Sequence, residues 1–256
     1  MDCYYVPHGV DTEQYQPLDR TEARDKLGWP ADRFVVGMVA ANKGNPSRKA
    51  LIQHIEAFAH FHKKHPDTAL YLHTTRGENG EMNGVNLIEF AQMFGLSYTT
   101  MGRPDTNTDA AVWFCDQYLN LLGFPTPYMR HAYAAMDVHV LVSMGEGFGI
   151  PILEAQACGT PVIVGGWTAM PELCFAGEIV DVKHSEPFPT PLGAFQRLPR
   201  PGSIAAAMGR AYRKPGSSEK ARKGALEYDA RRVMKDYWAP VLAEIEQDVA
   251  LWEGSI

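Results

Sequence analysis

The reading of this chain turns on three consecutive runs: Val138-His-Val-Leu-Val142, Glu146-Gly-Phe-Gly-Ile-Pro-Ile-Leu-Glu154 and Pro161-Val-Ile-Val164. The first is short, apolar and rich in valine, as a buried parallel strand should be. A Gly-Phe-Gly turn follows it, an apolar stretch of helical character leads to Glu154, and a second β-type run closes on Gly165-Gly166. Strand, glycine turn, helix, strand is a βαβ unit. Its turn and the start of its helix belong at the C-terminal edge of a parallel sheet, where open α/β folds bind ligands. Glu146 and Glu154 bracket the turn, with seven residues between them.

The same alternation extends outward from this unit. Strands are expected at residues 33–41, 69–74, 97–101 and 178–182, and helices at 50–64, 85–94, 127–136, 169–173, 203–212, 219–228 and 231–249. Residues 102–126 break the pattern and read as an insertion at a loop, with a helix-like aromatic piece over 112–122. Residues 183–202 hold five prolines and no periodicity, and read as a long loop. At the start, residues 1–6 suggest a short strand, 7–11 a turn and 21–27 a capped helix. The fold class is therefore α/β, a Rossmann-like parallel sheet with helices on both faces. Three parts are expected: linker and lead-in (1–30), the sheet domain (31–215) and C-terminal helices (216–256).

At 256 residues the chain can bury a full core. A net charge of -6 argues against nucleic acid or an anionic membrane as the main partner. Cys3, Cys115, Cys158 and Cys174 form no CxxC pair and read as free thiols of a reducing compartment. No run is apolar and long enough for a transmembrane segment, and the first residues are not a signal peptide. Cytoplasmic location is the expectation.

The candidate residues cluster at the two strand–helix junctions. The backbone of Gly147, Phe148 and Gly149 can approach a ligand closely, with the positive end of the next helix behind it. A tight turn without a ligand is the bland reading, but it needs no bracketing acids. Glu154 sits in an otherwise apolar helix, where a carboxylate needs partners. Ribose hydroxyls would serve, and so would a structural salt bridge. Glu146 can accept from sugar hydroxyls or stabilise positive charge at an anomeric carbon. Arg48 and Lys49 stand where a helix starts, a place that ordinarily favours acids. They could clamp a diphosphate, and a solvated basic pair is the rival. His60, His62 and His65 read as a solvated helix end, His139 as a satisfied core histidine, Glu172 as a cap or a donor contact, and the aromatics of 113–118 as packing.

The stretch from Glu146 to Val162 resembles the signature of the retaining GT-B glycosyltransferases of family 4, the glycosyl transferases group 1 family. Three other pieces agree in order: Pro7-His-Gly-Val-Asp11 with the interdomain linker, Arg48-Lys49 with Glu56-Ala-Phe58, and Tyr133-Ala-Ala-Met-Asp-Val138. The match covers most of residues 5–212, specific at the signature and loose elsewhere. The resemblance implies a nucleotide-sugar donor, transfer with retention and no metal or other cofactor. Residue by residue, it implies Glu146 on the donor sugar, the amides of 147–149 near sugar and phosphates, Glu154 on the ribose and Lys49 on the diphosphate. The family's preceding arginine is absent: Asn42 stands roughly in its place, with Arg48 adjacent to the lysine. The chain begins at the linker motif, so the resemblance implies a donor-binding half whose N-terminal acceptor domain is missing or lies on a partner chain. An excised piece, a natural fragment or one subunit of a split enzyme would each fit. A non-catalytic nucleotide-sugar-binding or regulatory subunit is the alternative. The last helix, with Tyr237 and Trp238, could face that partner or pack on its own domain.

Overall fold

A computed structural model describes residues 3–78, 83–191 and 193–253. In chain order the elements are α1 (Arg20–Leu27), β1 (Phe34–Val39), α2 (Leu51–His62), β2 (Thr68–His73), α3 (Leu87–Met93), β3 (Tyr98–Thr100), β4 (Val112–Phe114) and α4 (Gln117–Leu122). Then come α5 (Thr126–Ala135), β5 (Val138–Leu141), α6 (Ile150–Ala157), β6 (Val162–Gly165), a 3-10 turn (Met170–Leu173) and β7 (Gly177–Val180). The remainder is β8 (Ser185–Pro189), β9 (Phe195–Pro199), α7 (Pro201–Arg213), α8 (Ser218–Leu226), α9 (Ala230–Val233), a π turn (Met234–Trp238) and α10 (Ala239–Glu253).

Seven strands form one sheet in the order β3-β4-β2-β1-β5-β6-β7, every pairing parallel. The α/β class and the Rossmann-like sheet are as the sequence predicts. The apolar runs supply its core: Val35, Val36, Leu70, Leu72, Val140, Leu141, Ile163 and Val164 are all fully buried. From β1 the chain moves one way to β2, then β5 takes up the other side of β1. The crevice between the C-terminal ends of β1 and β5 is thus the topological switch point, and the loops leaving these two strands are 40–50 and 142–149.

Two stretches differ from the sequence reading. The 112–122 piece is a strand and a helix fused, and β4 lies inside the sheet between β3 and β2. Its three residues are buried on both faces, so they lack the alternation that marks a strand. The helix begins only after Asp116, whose side chain caps it by accepting from Leu119 N–H at 2.9 Å. The insertion therefore reduces to the preceding loop and α4. The proline-rich stretch 183–202 is an antiparallel hairpin, β8–β9, in which Pro187 faces Arg197 and Pro189 faces Phe195. A two-stranded ribbon tolerates proline because its outer edge needs no donor.

Residues 3–6 form no strand, and positions 1–2 of that expected strand lie outside the described residues. The lead-in is integral to the domain. Ala23 and Trp29 are core residues, and Arg24 and Arg20 each reach Asp137 at 2.7 Å. Val10 pairs with the 228–230 segment, donating to Tyr228 O and accepting from Ala230 N, both at 2.9 Å. The expected last helix is interrupted by the π turn, and its apolar residues Met234, Trp238, Leu242, Ile245 and Val249 are exposed. Among the described residues no helix is long and apolar enough to cross a membrane. All four cysteines are free thiols.

Candidate functional site

The loops leaving β1 and β5 bring Arg48, Lys49 and Glu146 together. Lys49 Nζ donates to Glu146 Oε1 at 2.6 Å and Arg48 Nη1 to Oε2 at 3.0 Å. The Ser143 hydroxyl also donates to Oε1, and Arg48 binds the Gly145 carbonyl. The Glu146 side chain is 6% exposed, Lys49 14% and Arg48 45%. Burial works to raise the Glu146 pKa, but the Lys49, Ser143 and Arg48 hydrogen bonds outweigh it and hold it below the usual carboxylate value. The acid is therefore ionised at neutral pH and clamped between two cations.

The backbone around this cluster is prepared for a close approach. Ala50, which opens α2, has φ +52°, and Gly149, which opens α6, has φ +107°; neither helix has a side-chain cap. Of the other helices, α1, α3, α4, α8 and α9 are capped by Asp19, Asn86, Asp116, Ser217 and Asp229, while α5 and α7 share the lack of a side-chain cap. The uncapped starts of α2 and α6 leave partial positive charge facing the crevice. Space at the turn is open: a Cβ on Gly147 would meet nothing within 4 Å. Phe148 turns its ring away, edge-on to His8 of the linker at 5.1 Å and to Tyr228 at 5.9 Å.

Other expected residues are placed differently. Asn42 is 1% exposed. Its Nδ2 donates to Val85 O at 2.7 Å and Thr75 O at 3.2 Å, and its Oδ1 accepts from Val85 N–H at 3.1 Å. A carboxamide so occupied is a clip between the loops after β1 and β2, not a phosphate ligand. Glu154 does not join the cluster. It is half-buried and accepts from the Tyr133 hydroxyl at 2.7 Å and from Tyr15. Burial raises its pKa, and the two tyrosine hydrogen bonds only partly oppose this. Glu172 is exposed on the 3-10 turn.

The histidines divide as burial dictates. His62 Nδ1 contacts the Thr68 hydroxyl at 3.0 Å, and His65 lies against Tyr212, ring centroids 4.4 Å apart. Among the described residues no three His, Cys, Asp or Glu converge as a metal site. His139 is fully buried and only half satisfied: Nε2 accepts from Val39 N–H at 3.3 Å, while Nδ1 has no partner.

Three contributors escaped the sequence reading. His54, fully buried in α2, joins the two loops. Its Nε2 accepts from Val142 N–H at 3.0 Å, and its Nδ1 lies 2.8 Å from Ala50 O. A backbone amide can only donate and a carbonyl only accept, so the proton sits on Nδ1. Burial lowers its pKa to about 4. The signal was a polar residue on the apolar stripe of Leu51, Ile55 and Phe58. Ser143 is the second. Thr168 is the third, at φ +55°, its hydroxyl accepting from Glu146 N–H at 3.1 Å; no local pattern marks it.

The model of the glycosyl transferases group 1 family matches residues 33–187. A D-inositol 3-phosphate glycosyltransferase of Pseudarthrobacter chlorophenolicus is 31% identical over 215 residues, covering 80% of this chain and 44% of that protein. The chain thus spans less than half the length of such relatives. Among solved structures, Anabaena HepE in complex with UDP and glucose superimposes with a TM-score of 0.65 at 21% identity, over 93% of this chain and 56% of that one. The C-terminal domain of a Francisella tularensis group 1 glycosyl transferase gives 0.55 at 22% identity, over 90% of this chain and 98% of that domain. At such identity the superpositions speak to the fold, the GT-B type.

Proposed function

The chain belongs to the glycosyl transferases group 1 family, and we propose that it is the donor-binding half of a retaining transferase that uses a nucleotide diphosphate sugar. One observation carries the proposal. Across the switch point between β1 and β5, Lys49 and Arg48 clamp Glu146 beside the open backbone of Gly147. Two cations and two uncapped helix starts favour a diphosphate and its departure as the glycosidic phosphate bond breaks. Glu146 stays ionised where positive charge develops on the sugar ring, and it can accept from sugar hydroxyls. Glu154 carries lone pairs beyond those its tyrosines use, which suits a ribose diol. That the Anabaena relative in fold is seen with UDP and glucose supports the ligand class.

In this reading the acceptor oxygen bonds the anomeric carbon on the face from which the diphosphate leaves, and its proton passes to the leaving group. No metal takes part. The acceptor domain belongs to the longer protein or to a partner chain, and the site works in the cytoplasm. The test is calorimetric titration with UDP, GDP and the parent nucleosides. Lys49→Ala is expected to weaken a nucleoside diphosphate about 10- to 100-fold, the worth of a charge-assisted contact, and a nucleoside far less. Equal diphosphate affinity in wild type and variant would remove the assignment.

A further inference from the structure

The hairpin β8–β9 is tied to the site. Arg197 N–H donates to Met144 O at 2.8 Å, one residue before Gly145. Gln196 lies against Gly145, its Cγ 3.8 Å from where a Cβ would stand. Between the hairpin and the loop after β1 is a cavity of about 550 Å³. Pro46, Met144, Phe188 and Pro191 give it apolar walls, and Lys43 and Arg48 are the only charged residues among the described ones lining it. Arg48 is also the residue that pairs with Glu146, so the cavity borders the cluster directly.

We propose that this cavity binds an amphiphilic anion, a small molecule with an apolar body and a phosphate or carboxylate group. The volume lies within the range of small-molecule sites, which are mostly apolar with a few placed polar groups. The prolines fix the walls, so little conformational entropy is lost when they are covered. Among the described residues lining it there is no carboxylate. The neighbouring acid, Glu146, already has its charge met by Lys49 and Arg48, and both cations of the lining, Lys43 and Arg48, come from the loop after β1. A bare sugar would leave Phe188 and the prolines without matching surface. That the bound molecule is the sugar acceptor, with its hydroxyl turned to Glu146, rests on the transfer reading above; the binding itself does not.

The experiment uses the whole chain and three probes below their micelle concentrations: octyl phosphate, octyl glucoside and octyltrimethylammonium. Calorimetry should show one saturable octyl phosphate site, at least about ten-fold tighter than for the ammonium, because like charges at the site oppose the latter. Lys43→Ala should weaken octyl phosphate by about three- to five-fold, the worth of an exposed ion pair, and leave octyl glucoside unchanged. Ala194→Trp, which fills the cavity from the hairpin, should abolish binding of both. Equal binding of phosphate and ammonium, or undiminished octyl phosphate binding in both variants, would overturn the proposal. UDP affinity, followed in the same proteins, should not change. Loss of UDP binding by the wild type would count against the donor reading alone, because the octyl phosphate titration decides the cavity independently.

Discussion

Acid should loosen this protein through a histidine that lies under its site. His54 is fully buried, and burial lowers its pKa to about 4 from the ordinary 6.5. The folded state therefore binds the proton less readily than the unfolded chain. Stability conferred by the neutral ring is present above pH 6.5 and is lost as pH falls through the window down to about 4. At 1.36 kcal/mol per pKa unit, the loss from His54 between pH 7.5 and 5 is about 2 kcal/mol. His139, lowered to about 3 by burial and by the nearby His54 and Lys49, adds a similar amount. Glu154 works in the opposite sense: its pKa is raised by burial, so its protonation in acid favours the folded state. Glu146, held low, loses its contribution only below the ordinary carboxylate range.

Because several groups act together, the decisive comparison is between proteins. Urea unfolding followed by far-ultraviolet circular dichroism at pH 7.5, 6.5, 5.5 and 5 gives stability against pH. His54→Gln cannot titrate, so its curve should fall by about 2 kcal/mol less than wild type over that range, whatever its absolute stability. The consequence for the site follows from geometry. A protonated ring cannot accept from Val142 N–H, so the tie between the Lys49 loop and the strand feeding Glu146 is cut. Parallel curves for wild type and variant would refute the argument.

Asn42→Ala removes three hydrogen bonds to Thr75 and Val85 and leaves buried backbone groups unpaired; a loss of about 2–4 kcal/mol in urea unfolding is expected. Gly177→Ala places a Cβ 1.8 Å from Val162 O at φ +142°, in the β6–β7 ladder. It should cost about 2 kcal/mol or more, read as a lower unfolding midpoint; an unchanged midpoint would contradict the ladder geometry. Tyr133→Phe deletes the 2.7 Å bond to Glu154 that holds its pKa down against burial. The acid limit of UDP binding should then move to higher pH in a titration series, and an unmoved limit would count against Glu154 as a ligand group.

What could be read in the sequence was what continuous patterns encode. β1, β2, β5 and β6 are buried on both faces and wrote themselves as apolar runs, and the acids around the glycine turn marked the sheet edge where Glu146 meets Lys49 and Arg48. What could not be read depends on partners far apart in the chain. Val112-Trp-Phe114 has the composition of either element until β2 and β3 are placed beside it. The prolines of 187–191 argue against a central strand, yet an isolated ribbon accepts them. Asn42 occupies roughly the place of a family arginine, but its function as a clip is set by Val85. Glu154 kept its expected place on α6, while its neighbours Tyr133 and Tyr15 come from α5 and the linker.

The electrostatics of the cluster limit how a ligand can use it. The chain carries a net charge of -6, yet Glu146, Lys49 and Arg48 sum locally to one positive charge. An anion is attracted there against the overall field, and more strongly because the helix starts are uncapped. An ionised carboxylate offers about four lone-pair positions. Oε1 already accepts from Lys49 and Ser143, and Oε2 from Arg48 alone. A sugar hydroxyl reaching Glu146 therefore finds its place on Oε2, on the side of the exposed guanidinium. Lys49, with further N–H groups beyond the one given to Oε1, can turn these to a phosphate without releasing the acid. Under the proposed donor reading the same ion pair holds Glu146 for the sugar and serves the diphosphate, which makes Lys49, rather than the more exposed Arg48, the residue whose removal should be felt most.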